Sequence, residues 1–229
     1  MSAGRVYRSP LRAEQAASTR QRIIDAAKNL LLTRGYAATT LDQIAREAGV
    51  ALPTLTGYFS NKPTLFQSVL RSVLSGTIEE DEPTIGEQLK ALLRPTRDPH
   101  EVLAGVASLY RTANERAFEL FEIMRKAAAA DSNVEQQRRA EAEARRRDQM
   151  PVARSLSRRG TLRPGLTERE ANDILWLYSS SDVYRLLVHD SKWQPQRYEQ
   201  WLAETLADSL LARGQDRTAA RRKRPSRRR

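Results

Sequence analysis

Apolar residues recur along this chain at three- and four-residue intervals, the period of a helix with one buried face. Ile23, Ile24, Ala27, Leu30 and Leu31 predict a helix after Ser18, stopped by Gly35 as a left-handed cap. Thr40 precedes "LDQIAREAG" as an N-cap, and Gln43 three residues on completes a capping box. Gly49 ends that short helix, and a second short helix carries Pro53 in its first turn. Asn61 caps a fourth, whose buried stripe runs through Leu65, Phe66, Val69, Leu70, Val73 and Leu74.

The pattern continues beyond the acidic segment "EEDEPT", which reads as a linker and domain boundary. "IGEQLKALLR" predicts a helix, Pro99 to about Ala130 a long one, and Asn133 to Arg159 another that Pro151 should kink or divide. "RRGTLRPGLT" is a loop, with two glycines and a proline in ten residues. Two amphipathic helices, roughly Thr167–His189 and Pro195–Arg213, close the pattern. No stretch alternates with the period of two that a half-buried strand requires. The fold class is therefore all-α.

Charge divides the chain in the same places. The net charge is +11, with nine Lys/Arg against four Asp/Glu in residues 1–62, 22 against 23 in 63–213, and eight against one in 214–229. A basic head, a balanced body and a basic tail suggest an anionic partner for the ends and a separate task for the middle. Cysteine is absent and the two histidines, His100 and His189, stand 89 positions apart. That excludes disulfides, thiolate zinc and a cysteine nucleophile, and no metal or other cofactor is expected. The serines at 179–181 and the histidines lack a matching base or orienting group, and no phosphate loop or nucleophile elbow is present, so no enzyme is expected. The longest apolar runs are far short of a bilayer span and no charged-then-apolar leader opens the chain; a cytoplasmic protein without a membrane partner is expected.

Residues 39–66, "TTLDQIAREAGVALPTLTGYFSNKPTLF", carry the chemistry. A helix-turn-helix needs a small residue where its helices cross, a residue tolerant of positive φ in the turn, and an apolar anchor on the second helix. Ala45, Gly49 and Leu55 meet those needs, with Ile44, Val50 and Phe59 completing a small core. Turning Leu55 inward sends Pro53, Thr54 and Gly57 outward, onto the face that enters a DNA major groove.

Thr40, Ile44, Ala48, Gly49, Val50, Thr54, Leu55, Phe59, Lys62 and Leu65 stand in the register of the TetR family of bacterial transcriptional repressors, which residues 19–66 resemble. The resemblance implies phosphate contacts from Thr40, Thr54, Tyr58 and Lys62, and a base-facing surface at Gln43, Leu52 and Pro53. Thr56 stands where the family usually has tyrosine, which shortens its reach to a phosphate. Gly57 offers only backbone or a close approach of the groove. Arg5, Arg8 and Arg12 lie on the arm.

The resemblance also implies the organisation: a flexible basic arm (1–17), a helix-turn-helix head (18–78), a helical effector-binding and dimerisation domain (79–213) and a disordered arginine-rich tail (214–229). Ile174, Leu187, Tyr198, Trp201, Leu202, Leu206 and Leu210 are the expected dimer contacts. Tyr110, Phe118, Phe121, Met124, Trp176 and Tyr178 are the expected lining of a pocket for a small apolar or aromatic effector. The expected function is a ligand-responsive repressor that binds a pseudo-palindromic double-stranded DNA operator as a homodimer. The alternatives are a non-specific basic DNA-compacting protein and an activator on the same fold.

Overall fold

The computed structural model describes residues 10–75 and 83–212. Among these, ten α-helices and one π-helical turn account for most of the chain, and the only extended pairing is an isolated antiparallel bridge between Leu162 and Leu211. Arg5, Arg8, most of the acidic linker and the tail at 214–229 lie outside the described residues.

Helix α1 spans Pro10–Arg34, longer than the pattern predicts by its first eight residues. Proline opens it, where a missing amide is harmless, and "LRAEQAA" continues with strong helix formers. Those residues, Arg12 among them, are helical rather than part of an extended arm. The apolar stripe begins only at Ile23, which is why periodicity alone starts the helix late. Gly35, at φ +76°, closes it.

Three further helices complete the head: α2 (Leu41–Glu47), α3 (Leu52–Tyr58) and α4 (Lys62–Ser75). Their caps follow the sequence signals. Thr40 and Gln43 exchange both bonds of a capping box, and Asn61 Oδ1 accepts the Thr64 amide at 2.8 Å. Ile23, Ile24 and Leu31 of α1 are buried with Ile44, Leu55, Leu65 and Phe66.

The body begins at α5 (Ile85–Ala91), where Thr84, counted from sequence as linker, is the N-cap in a capping box with Glu87. Helices α6 (Pro99–Ala128) and α7 (Ser132–Arg158) follow, then α8 (Glu168–Tyr178), α9 (Ser181–Tyr184), a π-helical turn (Arg185–Asp190) and α10 (Pro195–Leu210). One expectation is narrowed and another fails here. Of the kink or division expected at Pro151, there is no division, since α7 runs through it. The lost hydrogen bond costs about 3 kcal/mol, and the complete burial of Val152, Ala153 and Leu156 just beyond it offsets that cost. The helix expected over Thr167–His189 is instead three pieces. Ser179 turns its hydroxyl back onto the Leu175 carbonyl at 2.6 Å, and Ser180 accepts the Val183 amide to start α9. Serine pairs break helices in this way, because their side chains compete for backbone partners.

The described residues form two compact units. One holds 10–73 together with 119–138, the end of α6 and start of α7; the other holds 74–75, 83–118 and 139–212. A cut at 78/79 therefore assigns to the body a segment that clusters with the head. The two arms of a helical hairpin are far from the head in sequence, and no local signal marks where they are shared. The core of the second unit joins Leu103, Val106 and Tyr110 of α6 to Leu175 of α8 and Leu202, Leu206 and Leu210 of α10.

Candidate nucleic-acid interface

Two short helices and the turn between them place the candidate residues. Ala45 and Leu55 are buried at 2% and 0% exposure, the small contact and the anchor that the motif requires. Gly49 holds φ +65° between the helices, and the Val50 amide bonds the Ala45 carbonyl at 2.9 Å across the turn. Arg22, on α1, donates from Nη1 to the Ala48 carbonyl at 3.2 Å, supplying a partner that the end of α2 would otherwise lack. Nothing local in the sequence marks Arg22 for that task, since its partner is 26 residues away.

With Leu55 inward, Leu52, Pro53, Thr54, Thr56, Gly57 and Tyr58 are all exposed on α3. Leu52 and Tyr58 are 39% and 37% exposed, unusual for large apolar or aromatic side chains in a small head. A Cβ built at Gly57 meets no atom within 4 Å, so the glycine is not demanded by packing. Its absence of a side chain leaves the backbone open to close approach. Thr56 bonds its hydroxyl to the Leu52 and Pro53 carbonyls, each at 3.2 Å, so its proton is held within its own helix.

The remaining candidates differ in what they have left to offer. Thr40 is exposed and its oxygen accepts the Gln43 amide at 3.2 Å, which leaves the hydroxyl proton available. Gln43 is half-buried, and its side-chain oxygen accepts the Thr40 amide at 2.9 Å. Reading adenine takes both ends of a glutamine amide, and here one end is already engaged. Lys62 donates to the carbonyls of Tyr36 and Thr39 at 2.8 and 2.9 Å, with its ammonium 4.0 Å from the centre of the Tyr36 ring. It thus ties α4 to the α1–α2 connection and keeps one N–H for a phosphate. Burial holds the Lys62 pKa below its ordinary value against the opposing charge of Asp131, and pushes Tyr36 up to about 12.

The expected effector and dimer residues sort less cleanly. Tyr110, Phe118, Trp176 and Tyr178 belong to the second unit, whereas Phe121 and Met124 belong to the first. Phe118 stacks on His189 at 3.3 Å between ring centres, Tyr178 meets Trp201 edge-on at 6.0 Å, and the Trp176 indole donates to the Ala142 carbonyl at 3.1 Å. Of the expected dimer contacts, Tyr198, Leu202, Leu206 and Leu210 are completely buried within the single chain. They face its own core, because α10 packs inward along one stripe and a stripe alone does not say which partner covers it. Ile174, Leu187 and Trp201 are half-buried, while Leu177 and Leu186 are exposed at 51% and 49%.

Comparison with known proteins bears on the head most directly. Residues 23–69 match the family described as bacterial regulatory proteins, tetR family. Residues 23–69 therefore carry that family's N-terminal domain. A 60-residue segment is 47% identical to the HTH-type transcriptional regulator SrpR of Pseudomonas putida, covering 26% of this chain and 28% of that protein. The chain spans less than half the length of the curated relatives it matches, so this likeness concerns the head. The fold extends further. The structure of SmeT in complex with triclosan aligns with a TM-score of 0.68 at 20% identity, over 86% of this chain and 93% of that one. NalD, the secondary repressor of the MexAB-OprM multidrug efflux pump in Pseudomonas aeruginosa, aligns at 0.64 and 22% identity, over 86% and 98%. No described helix is long and apolar enough to cross a membrane.

Proposed function

We propose that the protein is a homodimeric, ligand-responsive transcriptional repressor, regulatory rather than catalytic, acting on double-stranded DNA in the cytoplasm. The observation that carries this reading is the α3 face. Six consecutive or near-consecutive exposed residues, with a solvent-facing leucine and tyrosine and an unhindered glycine, sit on a helix fixed by Leu55 and Gly49 within a TetR-family domain. Such a face makes little sense against water and fits a major groove. Leu52 and Pro53 offer apolar contact to a thymine methyl, while Thr40, Thr54, Tyr58 and the remaining N–H of Lys62 supply phosphate donors.

A homodimer would present two such faces about 34–36 Å apart, which makes the operator a pseudo-palindrome. Leu177 and Leu186, with half-buried Ile174, Leu187 and Trp201, are the apolar surface of the body that a second copy would cover. Binding of an effector in the body would release DNA only in so far as the effector prefers one conformer over the other.

Selection of bound sequences from random duplex DNA by the full chain tests the reading. Recovery of an inverted repeat, bound roughly 10³-fold or more tightly than random duplex at fixed salt, is the expected outcome. Uniform binding to every duplex would instead favour the DNA-compacting alternative that the basic ends suggest.

A further inference from the structure

The charges of the body balance in number but not in place. Residues 63–213 carry 22 Lys/Arg against 23 Asp/Glu, yet five arginines gather at one end of the second unit. Arg94 and Arg97 lie in the turn between α5 and α6, Arg158 and Arg159 at the end of α7 and just past it, and Arg163 in the loop that follows. Arg159 ties the first two segments together: its Nη2 donates to the Arg97 carbonyl at 2.7 Å, while the Arg97 amide bonds the Arg94 carbonyl at 3.1 Å. The loop is fixed against the end of α10. The Arg163 amide donates to the Leu210 carbonyl at 2.8 Å and the Ala212 amide to the Thr161 carbonyl at 2.9 Å, around the bridge between Leu162 and Leu211. Arg94, Arg158 and Arg163 are exposed, and Arg97 and Arg159 half-buried. None of the five is ion-paired among the described residues, although Arg154, one turn earlier on α7, has Glu168 at 3.6 Å. Asp98, beside Arg97 in sequence, turns Oδ1 to the His100 amide at 2.8 Å at the start of α6.

Arginines held together without carboxylates to answer them repel one another and raise the local positive potential. The fold gathers them at the point where the chain runs on from Ala212 into residues 214–229, which hold eight Lys/Arg against one acidic residue. The chemistry of this end selects its partner. Guanidinium forks match phosphate oxygens in pairs. None of the large apolar side chains exposed among the described residues lies in these segments, and residues 214–229 contain no Leu, Ile, Val, Phe, Trp, Tyr or Met. A protein interface needs an apolar centre, and a segment lying on a membrane needs an apolar face. A phosphate backbone needs neither.

We propose that this arginine end of the body is a second DNA-contacting surface, which holds the phosphates of duplex DNA without regard to sequence. The choice of DNA over another phosphate polymer rests on the reading of the head as a DNA-binding domain. The head selects a site, and the arginine end adds charge contacts that carry no base readout. Arg159 is a positioning residue, since its fork holds the turn that carries Arg94 and Arg97. Arg94, Arg158 and Arg163, exposed and with no side-chain partner among the described residues, are the phosphate ligands.

The test titrates the full chain, with Arg94→Gln, Arg158→Gln and Arg163→Gln combined, against a long random duplex over a range of salt, read by anisotropy. Each lost phosphate contact lowers the slope of log affinity against log salt by about 0.9. The triple variant should therefore lower the slope by about two to three and bind about tenfold or more weakly at low salt, with an unchanged melting temperature. Arg116→Gln, Arg147→Gln and Arg197→Gln combined remove the same charge from exposed arginines elsewhere in the unit, and should lower the slope by less than about one. Lysine at the three cluster positions keeps the charge without the fork, and should recover most of the slope but less of the affinity. An unchanged slope, or equal losses from the two glutamine triples, would overturn the proposal. So would tighter binding of double-stranded RNA through the same three arginines. Binding to phosphatidylserine–phosphatidylcholine vesicles that the cluster variant abolishes, with duplex binding unaffected, would equally overturn it. The margin between a selected inverted repeat and random duplex tests the head, whereas the slope on random duplex tests this surface, so the two readings fail separately.

Discussion

Gly57 separates folding from function at a single position. It sits inside α3, where glycine costs about 0.5–1 kcal/mol relative to alanine, and a Cβ there would meet nothing within 4 Å. Gly57→Ala should therefore raise stability by about that amount in urea unfolding, and weaken DNA binding if the groove closes onto this backbone. Lys62 behaves in the opposite sense. Sequence alone marks it as a phosphate ligand, but the structure gives two of its N–H groups to the Tyr36 and Thr39 carbonyls. Lys62→Met should cost about 1–2 kcal/mol of stability in the same unfolding experiment and, with one N–H left for a phosphate, lower the salt slope of DNA binding by about one at most. A loss of salt slope at unchanged stability would make the phosphate contact, not the tie to the α1–α2 connection, its main task. The apolar anchors at Ala45 and Leu55 were readable from spacing because each is set by a neighbour within ten residues. The ties of Arg22 to Ala48 and of Lys62 to Tyr36 were not, since they span 26 residues and follow from the packed fold.

At the scale of elements, most boundaries are legible wherever a cap announces them: Gly35, Thr40, Gly49 and Asn61 all act as the sequence suggests. The failures occur where packing overrides a local preference, as at Pro151, or where side chains capture the backbone, as at Ser179 and Ser180. Capping boxes also bring pH dependence. At Thr167 the backbone amide and hydroxyl donate to the Glu170 carboxylate at 2.9 and 2.7 Å and hold its pKa below the ordinary 4.5. A carboxyl whose folded pKa is depressed contributes stability above its unfolded pKa and loses it as pH falls through the folded value. The start of α8 should thus loosen on acidification, and Glu170→Gln should flatten the fall in melting temperature between about pH 6 and 3. An unchanged fall would mean that the bond does not survive in solution.

For the molecule as a whole, the helical class and the head are legible in the sequence pattern, but not that one stripe of α10 lies in the chain's own core. Tyr198, Leu202, Leu206 and Leu210 belong to the core of the single chain, leaving Leu177 and Leu186 as the large exposed apolar residues of the body. Leu177→Glu combined with Leu186→Glu should shift the protein toward a monomer in sedimentation analysis with little loss of helicity. Leu206→Ala should instead cost about 2–5 kcal/mol of stability. A pair of glutamates that leaves the oligomeric state untouched would move the interface elsewhere.

The central claim is that two copies of one exposed helical face read DNA together. Titration of the full chain against a selected inverted repeat, against the same duplex with one half scrambled, and against random duplex tests it most directly. The account predicts that scrambling one half costs at least about a hundredfold in affinity, most of the roughly 10³-fold margin over random DNA. Equal affinity for all three duplexes at the same salt concentration would contradict it.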